Sequence, residues 1–279
     1  MASPLAINTN VGSLSAQRQL TKTSRSMQQS ISRLSSGLRV QSAADNAAGM
    51  AVAENMRAQQ GGYKQAMRNA NDGVAVLQTA ESGYQNISDL LVRMRELSVQ
   101  AANDSIGDTE RGYLNTEFSD LMEEIDRVAA VTEYNGINLL DGTAGTSGAM
   151  EFQVGTRNST DDQISISLVA QTATELGVSS SVVTTQIAAR NAIDSIDSAM
   201  ETLNTNRATL GSTINTLNSA VDHLASTIEN YGDALSQIRD ADMAEESAQF
   251  SKTQVLQQAG VAMLSQAKAQ PNLVLRLLA

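Results

Sequence analysis

Fourteen positions in the C-terminal third of the chain form one stripe: Ile193, Ile196, Met200, Leu203, Arg207, Leu210, Ile214, Leu217, Val221, Leu224, Ile228, Tyr231, Leu235 and Ile238. The spacing alternates three and four without a slip, and Arg207 alone is not apolar. Such a row is the seam of a long helix that must lie against other helices. At about 1.5 Å per residue it is roughly 70 Å long, too long for the core of a globular domain of this size.

A second seam of the same kind precedes it. Val52, Met56, Tyr63, Met67, Ala70, Val74, Leu77, Tyr84, Ile87, Leu91, Met94 and Leu97 keep near-helical spacing, and Asn103, Asp104 and Gly107 end the run. Both prolines, Pro4 and Pro271, lie near the ends, so nothing between them carries the strongest helix breaker. The sequence therefore predicts long helices over 45–102 and 185–230, with Asp45 as N-cap of the first. A shorter helix is expected over 109–131, with Leu114, Phe118, Leu121, Met122, Ile125 and Val128 on its buried side. An amphipathic segment from Ile7 to Leu34 stops at Ser35-Ser36-Gly37. A last helix is expected from Ala234 to Lys268, after a break at Tyr231-Gly232-Asp233.

The middle of the chain changes character. Tyr134-Asn135-Gly136 is a turn signal, and Gly142 to Gly148 is rich in Gly, Thr and Ser. Phe152 and Val154 alternate with polar neighbours, as do Ile164, Ile166 and Leu168. A small β-hairpin region is expected over 136–180, with room for a third short strand. The predicted class is mainly α: a long antiparallel, coiled-coil-like helical rod with a small hairpin region and a terminal two-helix coiled coil.

Composition narrows the function. Aromatics are 3% of the chain, with no Trp, which suits packing through Leu, Ile, Val, Ala and Met better than a pocket. A net charge of −11 argues against nucleic acid, whose binding needs a basic footprint. The absence of Cys excludes disulfides, thiol catalysis and Cys-based zinc sites. The first twenty residues have neither the basic nor the apolar region of a secretory signal, and no stretch is apolar enough for a membrane span.

No catalytic, cofactor-binding or metal-ligating constellation emerges. The single histidine, His223, flanks the stripe. The acid pairs Glu123-Glu124 and Glu245-Glu246 point in different directions on a helix, and Asp161-Asp162 suits a hairpin tip better than a calcium loop. Arg18, Lys22, Arg25, Arg33 and Arg39 give the N-terminal segment a positive bias. That bias is either a solvated face or a complement to the acidic remainder of a neighbouring copy.

Several long motifs closely resemble bacterial flagellin. They begin with Leu34-Ser-Ser-Gly-Leu-Arg-Val-Gln-Ser-Ala-Ala-Asp-Asn-Ala-Ala-Gly49, Arg68-Asn-Ala-Asn-Asp-Gly73, Arg93-Met-Arg-Glu-Leu97 and Glu133-Tyr-Asn-Gly136. Ile238-Arg-Asp-Ala-Asp-Met243, Gln254-Val-Leu-Gln-Gln-Ala-Gly260 and Leu273 to Leu278 follow near the other end. The resemblance covers 1–140 and 185–279 and implies an architecture. Residues 1–44, with a connecting spoke, and 231–279 would form an inner core domain, and 45–230 a surrounding rod domain. The outer domains that larger members carry in the middle would be absent.

The resemblance further implies a structural, non-enzymatic subunit that polymerises with its own copies into the flagellar filament, outside the cell, for motility. Implied partners are an export chaperone, type III export machinery, the filament cap and hook-junction proteins. The ridge Arg93, Arg95, Glu96, Leu97 and Val99, faced by Glu117, matches the region through which Toll-like receptor 5 recognises monomers, and would be buried between subunits in a filament. Two departures stand out. Asn215-Thr216-Leu217 replaces the family's Asn-Arg-Phe triplet, and the chain ends Leu277-Leu278-Ala279 where Arg is common. Three alternatives stay open: a hook–filament junction protein of the same family, an enzyme-bearing flagellin, and an adhesin using the hairpin tip from Asn158 to Asp162.

Overall fold

Five helices dominate the computed structural model, which describes residues 10–145 and 148–278, with side chains through residue 269. They are α1 (Val11–Ser36), α2 (Ala47–Ala101), α3 (Asp108–Val131), α4 (Gln186–Arg239) and α5 (Met243–Leu278). Two short antiparallel hairpins complete the list: β1 (Glu133–Tyr134) with β2 (Ile137–Asn138), and β3 (Ala149–Gln153) with β4 (Gln163–Ser167). The expected mainly α class, with long antiparallel helices and small hairpins, is what the chain adopts. It divides into two compact units, one of residues 1–58 with 231–279, the other of residues 59–230.

In the second unit, α2 and α4 run antiparallel in one continuous register. Gln60 Nε2 donates to the Ile228 carbonyl at 3.2 Å, Arg207 meets Glu81, Arg95 meets Asp197, and Gln186 Nε2 donates to the Ala102 carbonyl at 3.1 Å. The stripe on α4 splits into two rows. Ile196, Leu203, Leu210, Leu217 and Leu224, spaced by seven, are at most 4% exposed. Met200, Arg207, Ile214, Val221 and Ile228, the other half of the heptad, are only half-buried. A seam covered by facing helices on both sides would bury both rows alike. Here α2 covers one flank of α4 and leaves the other partly open.

The seam of α2 closes tightly in its later turns, where Leu77, Tyr84, Ile87, Leu91, Met94 and Leu97 are buried. Tyr63, Met67 and Val74 are half-buried. α3 contributes Phe118, Ile125 and Val128 to the same core, and Leu139, Leu140, Ile166 and Leu168 arrive from the middle segment.

The hairpin region sits on α2 by close backbone approach. A methyl group at Gly73 would come within 2.9 Å of the Phe152 ring, and one at Gly83 within 2.5 Å of a Leu140 methyl. Asn69 Nδ2, four residues before Gly73, donates to the Gln153 carbonyl at 3.1 Å. The Arg68–Gly73 motif is therefore the seat of β3. The further strands beside the expected hairpin are a pair, β1 and β2, joined by Asn135 and Gly136. Both have positive φ, 52° and 78°, as a two-residue primed turn requires.

The first unit is built around α1 and α5, which pack antiparallel. Arg33 approaches Glu246 at 3.6 Å, Gly260 lies against Leu20, and Asn10 Nδ2 donates to the Ala267 carbonyl at 2.7 Å. Gly37, at φ 73°, ends α1 in the left-handed conformation and returns its N–H to the Arg33 carbonyl. Leu38 and Arg39 then pair with the end of α4: Leu38 bridges Asp240, and the Arg39 N–H donates to the Arg239 carbonyl at 2.7 Å.

Three local expectations need correction. There is no break at Tyr231-Gly232-Asp233, because α4 continues beyond 230 to Arg239. A lone glycine costs a helix only about 1 kcal/mol, which flanking helix formers absorb. The stop comes at Asp240 to Asp242, where Leu38 and Arg39 claim backbone groups and Asp242 Oδ1 accepts the N–H groups of Ala244 and Glu245 to cap α5. The last helix therefore begins at Met243, not at Ala234.

The N-cap of α2 is Asn46, whose Oδ1 accepts from the Gly49 N–H at 2.9 Å. Asp45 instead clamps the loop before it, accepting from the N–H groups of Gln41 and Ser42 and from the Ser42 hydroxyl. The hydrogen bonds from Ser42, followed by that from Gln41, hold its carboxyl below the usual value.

Pro271, finally, does not end α5, which runs on to Leu278. Proline leaves the carbonyl four residues earlier without its helical donor. That carbonyl belongs to Ala267, and the Asn10 side chain supplies the donor. Ile7 and Pro4 lie outside the described residues, as do the side chains from 270 onward.

Candidate assembly and recognition surfaces

The polar residues of the expected ridge on α2 are held by ion pairs. The Arg93 guanidinium donates to Glu117 Oε1 at 2.7 and 3.0 Å and to Glu96 Oε2 at 3.0 Å. Arg95 reaches the other way and grips both oxygens of Asp197 on α4, at 2.6 and 3.3 Å. Arg93 is held above its usual value, first by the hydrogen bond to Glu117. Asp197 is held below its usual value, first by the hydrogen bond from Arg95. These arginines are positioned side chains that tie α2 to α3 on one flank and to α4 on the other.

Of the six residues expected at this ridge, five share the outer surface and one does not. Val99 is half exposed, and the pairs of Arg93, Arg95, Glu96 and Glu117 are open to solvent. Leu97 is 1% exposed and belongs to the core beneath. The seam residues Ile196, Leu203, Leu210, Leu217 and Leu224 are core, whereas Met200, Ile214, Val221 and Ile228 form the half-open row.

Arg111 is a structural anchor that the sequence pattern does not mark. It lies 8% exposed on the first turns of α3, although its neighbours give no sequence signal. Its Nε donates to the Ala101 carbonyl at 2.9 Å and its Nη2 to the Asn103 carbonyl at 3.0 Å, closing the C-terminal end of α2. A cation at a helix C-terminus satisfies orphan carbonyls and opposes the negative end of the macrodipole. Asp126 and Asn115 on α3 work similarly, accepting the N–H groups of Ala173 and Val183 to pin the strap that leads into α4.

The first unit presents a different surface. Between α1 and α5 the buried side chains are polar and small: Thr23, Ser30 and Thr253. Leu20, Met27, Leu34, Phe250 and Leu264 on the same two helices are half-buried, and other large apolar side chains are open. Val11, Val255 and Met263 are each at least 64% exposed, and Leu14, Ile31, Leu256 and Val261 about half. A two-helix hairpin stable by itself in water would carry polar side chains at those open positions. Exposed apolar side chains in this number on one pair of helices are the mark of a docking surface.

Among the described residues there is no group of three or more His, Cys, Asp or Glu side chains able to hold a metal ion. His223 is solvent-exposed on α4. Among the same residues no helix is long and apolar enough to cross a membrane.

Comparison with known proteins identifies the family. The bacterial flagellin N-terminal helical region matches residues 7–145, and the flagellin C-terminal helical region matches residues 193–278. A flagellin from Halalkalibacterium halodurans is 38% identical over 98% of this chain and 100% of its own length. A flagellar filament 33 kDa core protein of Treponema phagedenis is also 38% identical, with the same coverage. Among solved structures, the crystal structure of Bacillus cereus flagellin superposes with a TM-score of 0.50 at 30% identity, over 56% of this chain and 88% of that one. These matches do not favour a hook–filament junction protein, and the family is structural rather than catalytic. The chain belongs to the bacterial flagellin family and is a structural subunit of the flagellar filament, the extracellular part of the flagellum.

Proposed function

We propose that the α1–α5 hairpin completes its burial only against other copies of the chain, so that residues 1–44 and 231–279 form the inner core of the filament and 45–230 the tube around it. The observation that carries this reading is the open apolar surface of the hairpin: no apolar side chain described on α1 or α5 is fully buried, and Val11, Val255 and Met263 lie outside. An isolated chain cannot hold such a surface in water without loss, so the ends order as they assemble. Before that, the subunit is handed by a chaperone to the flagellar type III export route, leaves the cell, and adds beneath the filament cap beyond the hook-junction proteins. The ridge of Arg93, Arg95, Glu96, Val99 and Glu117 is the surface the free subunit offers to Toll-like receptor 5, with Leu97 supporting it from the core. Circular dichroism of monomer against polymer tests the coupled ordering. A rise in helix content on polymerisation is expected, and equal content in both states would contradict it.

A further inference from the structure

Three cations on α1 have no ion-pair partner among the described residues. Arg18, Lys22 and Arg25 follow one another at intervals of four and three and share one helix face. With Leu14, Gln17 and Thr21 they line an open groove along α1. All three are exposed, and among the described residues none has an ion-pair partner, whereas Arg33, further along the same helix, pairs with Glu246. Within the same unit, three exposed acids cluster at the α4–α5 junction: Asp240, Asp242 and Glu245. Met243, between them, is 50% exposed, and Leu14 in the groove is 51% exposed.

The register of the hairpin keeps these two features apart within one chain. Leu20 lies against Gly260, and Arg33 lies beside Glu246. The acidic junction therefore sits level with the end of α1, some fourteen to twenty residues along α5 from the groove, or about 20–30 Å at helical rise. Opposite charges separated along one axis cannot neutralise each other within a copy. They meet when a second copy, running parallel, is displaced by about that distance. Such a contact is heterologous and does not close, so it propagates.

We propose that the cationic groove of Arg18, Lys22 and Arg25 docks the acidic α4–α5 junction, Asp240 and Glu245 foremost, of a second copy of this chain. The proposal rests on the reading that the chain polymerises. It adds a specific axial contact in which charge sets the stagger and Leu14 against Met243 supplies the apolar centre. A net charge of −11 makes any chain-to-chain approach repulsive on average, so a local cation patch selects the one orientation that is attractive.

Seeded elongation of the full-length chain on filament fragments at low salt tests it. Arg18→Glu/Lys22→Glu/Arg25→Glu should slow elongation at least about tenfold, and so should Asp240→Lys/Glu245→Lys, which leaves the Asp242 cap intact. Both sets in one chain should restore elongation to within about threefold of the native rate, as a charge swap across a real contact does. Native rates for either single-sided variant, or no recovery in the combined one, overturn the proposal. So does normal elongation of the arginine–lysine variant with lost binding to phosphatidylglycerol vesicles, which assigns the groove to a membrane surface. A native chain that never elongates removes the filament reading itself, a failure distinguishable from the others because no variant is then needed to see it.

Discussion

Arg207, the one polar position of the α4 stripe, is paired within its own chain with Glu81 on α2: its Nε and Nη2 converge on Glu81 Oε1 at 3.0 and 2.7 Å, and Nη2 also reaches Gln85 Oε1 at 2.9 Å. The pair is about one-third exposed, so its charges keep part of their hydration. A pair of that exposure contributes on the order of 1 kcal/mol. Its larger effect is on register, since sliding α4 along α2 by one heptad would set Arg207 against Val74 and Gln78 or Ser88 and Val92, without a carboxylate at either place. Arg207→Leu is expected to cost about 1 kcal/mol in urea unfolding, and Arg207→Leu with Glu81→Leu to recover most of it. Additive losses in the pair of substitutions would show that the two side chains do not interact.

The two rows of the stripe should separate in mutagenesis. Leu210→Ala removes a fully buried side chain and is expected to cost about 2–5 kcal/mol in the monomer. Ile214→Ala, on the half-open row, should cost less than about 1.5 kcal/mol in the monomer. If the open flank is covered in the filament, Ile214→Ala should lower filament dissociation temperature more than monomer melting temperature. Equal shifts in the two would show that the open flank stays open.

Tyr84 gives the fold an alkaline limit. Burial, and then the nearby Glu81 carboxylate, push its phenol up from 10.0 to about 12. Below pH 10 the phenol is neutral in folded and unfolded chains alike, and its contribution is complete. As pH rises from about 10 to about 12 the unfolded chain ionises first, and about 2–3 kcal/mol is lost. Tyr84→Phe should flatten this part of the pH–stability curve. An unchanged alkaline slope would place the loss elsewhere.

Asn10 joins the two ends of the chain. Its Oδ1 accepts the Ser13 N–H at 2.9 Å to cap α1, while its Nδ2 covers the carbonyl that Pro271 leaves open on α5. Asn10→Asp keeps the cap and loses the donor, and Asn10→Ala loses both. Filament dissociation temperature should fall in the order native, Asp, Ala, each step worth about 1 kcal/mol. Identical behaviour of the two variants would mean that the bond to Ala267 contributes nothing.

Much of this architecture is legible in one sequence because its strongest signals are periodic. The stripe on α4 and the later turns of the α2 seam repeat every seven residues, and the burial of Leu203, Leu210 and Leu217 follows directly from that repeat. Asn135-Gly136 announces its turn by residue type alone. Features that depend on register between distant segments were not accessible. Arg95 and Asp197 are 102 positions apart, and nothing local to either marks the other as its partner. Gly232 signals a break that flanking helix formers override, and Pro271 signals a stop that the Asn10 side chain, near the opposite end of the chain, relieves. Leu97 shares the Arg93–Leu97 motif with exposed arginines, and it is the seam spacing, not the motif, that places it with Met94 in the core.

The central claim is that the outward apolar faces of α1 and α5 are buried only by other copies of the chain. Electron microscopy of purified full-length protein after addition of filament seeds tests it most directly. The account predicts helical filaments with a central channel lined by the α1–α5 hairpins. Persistent monomers under the same conditions, with Val255 and Met263 still open to solvent, would contradict it.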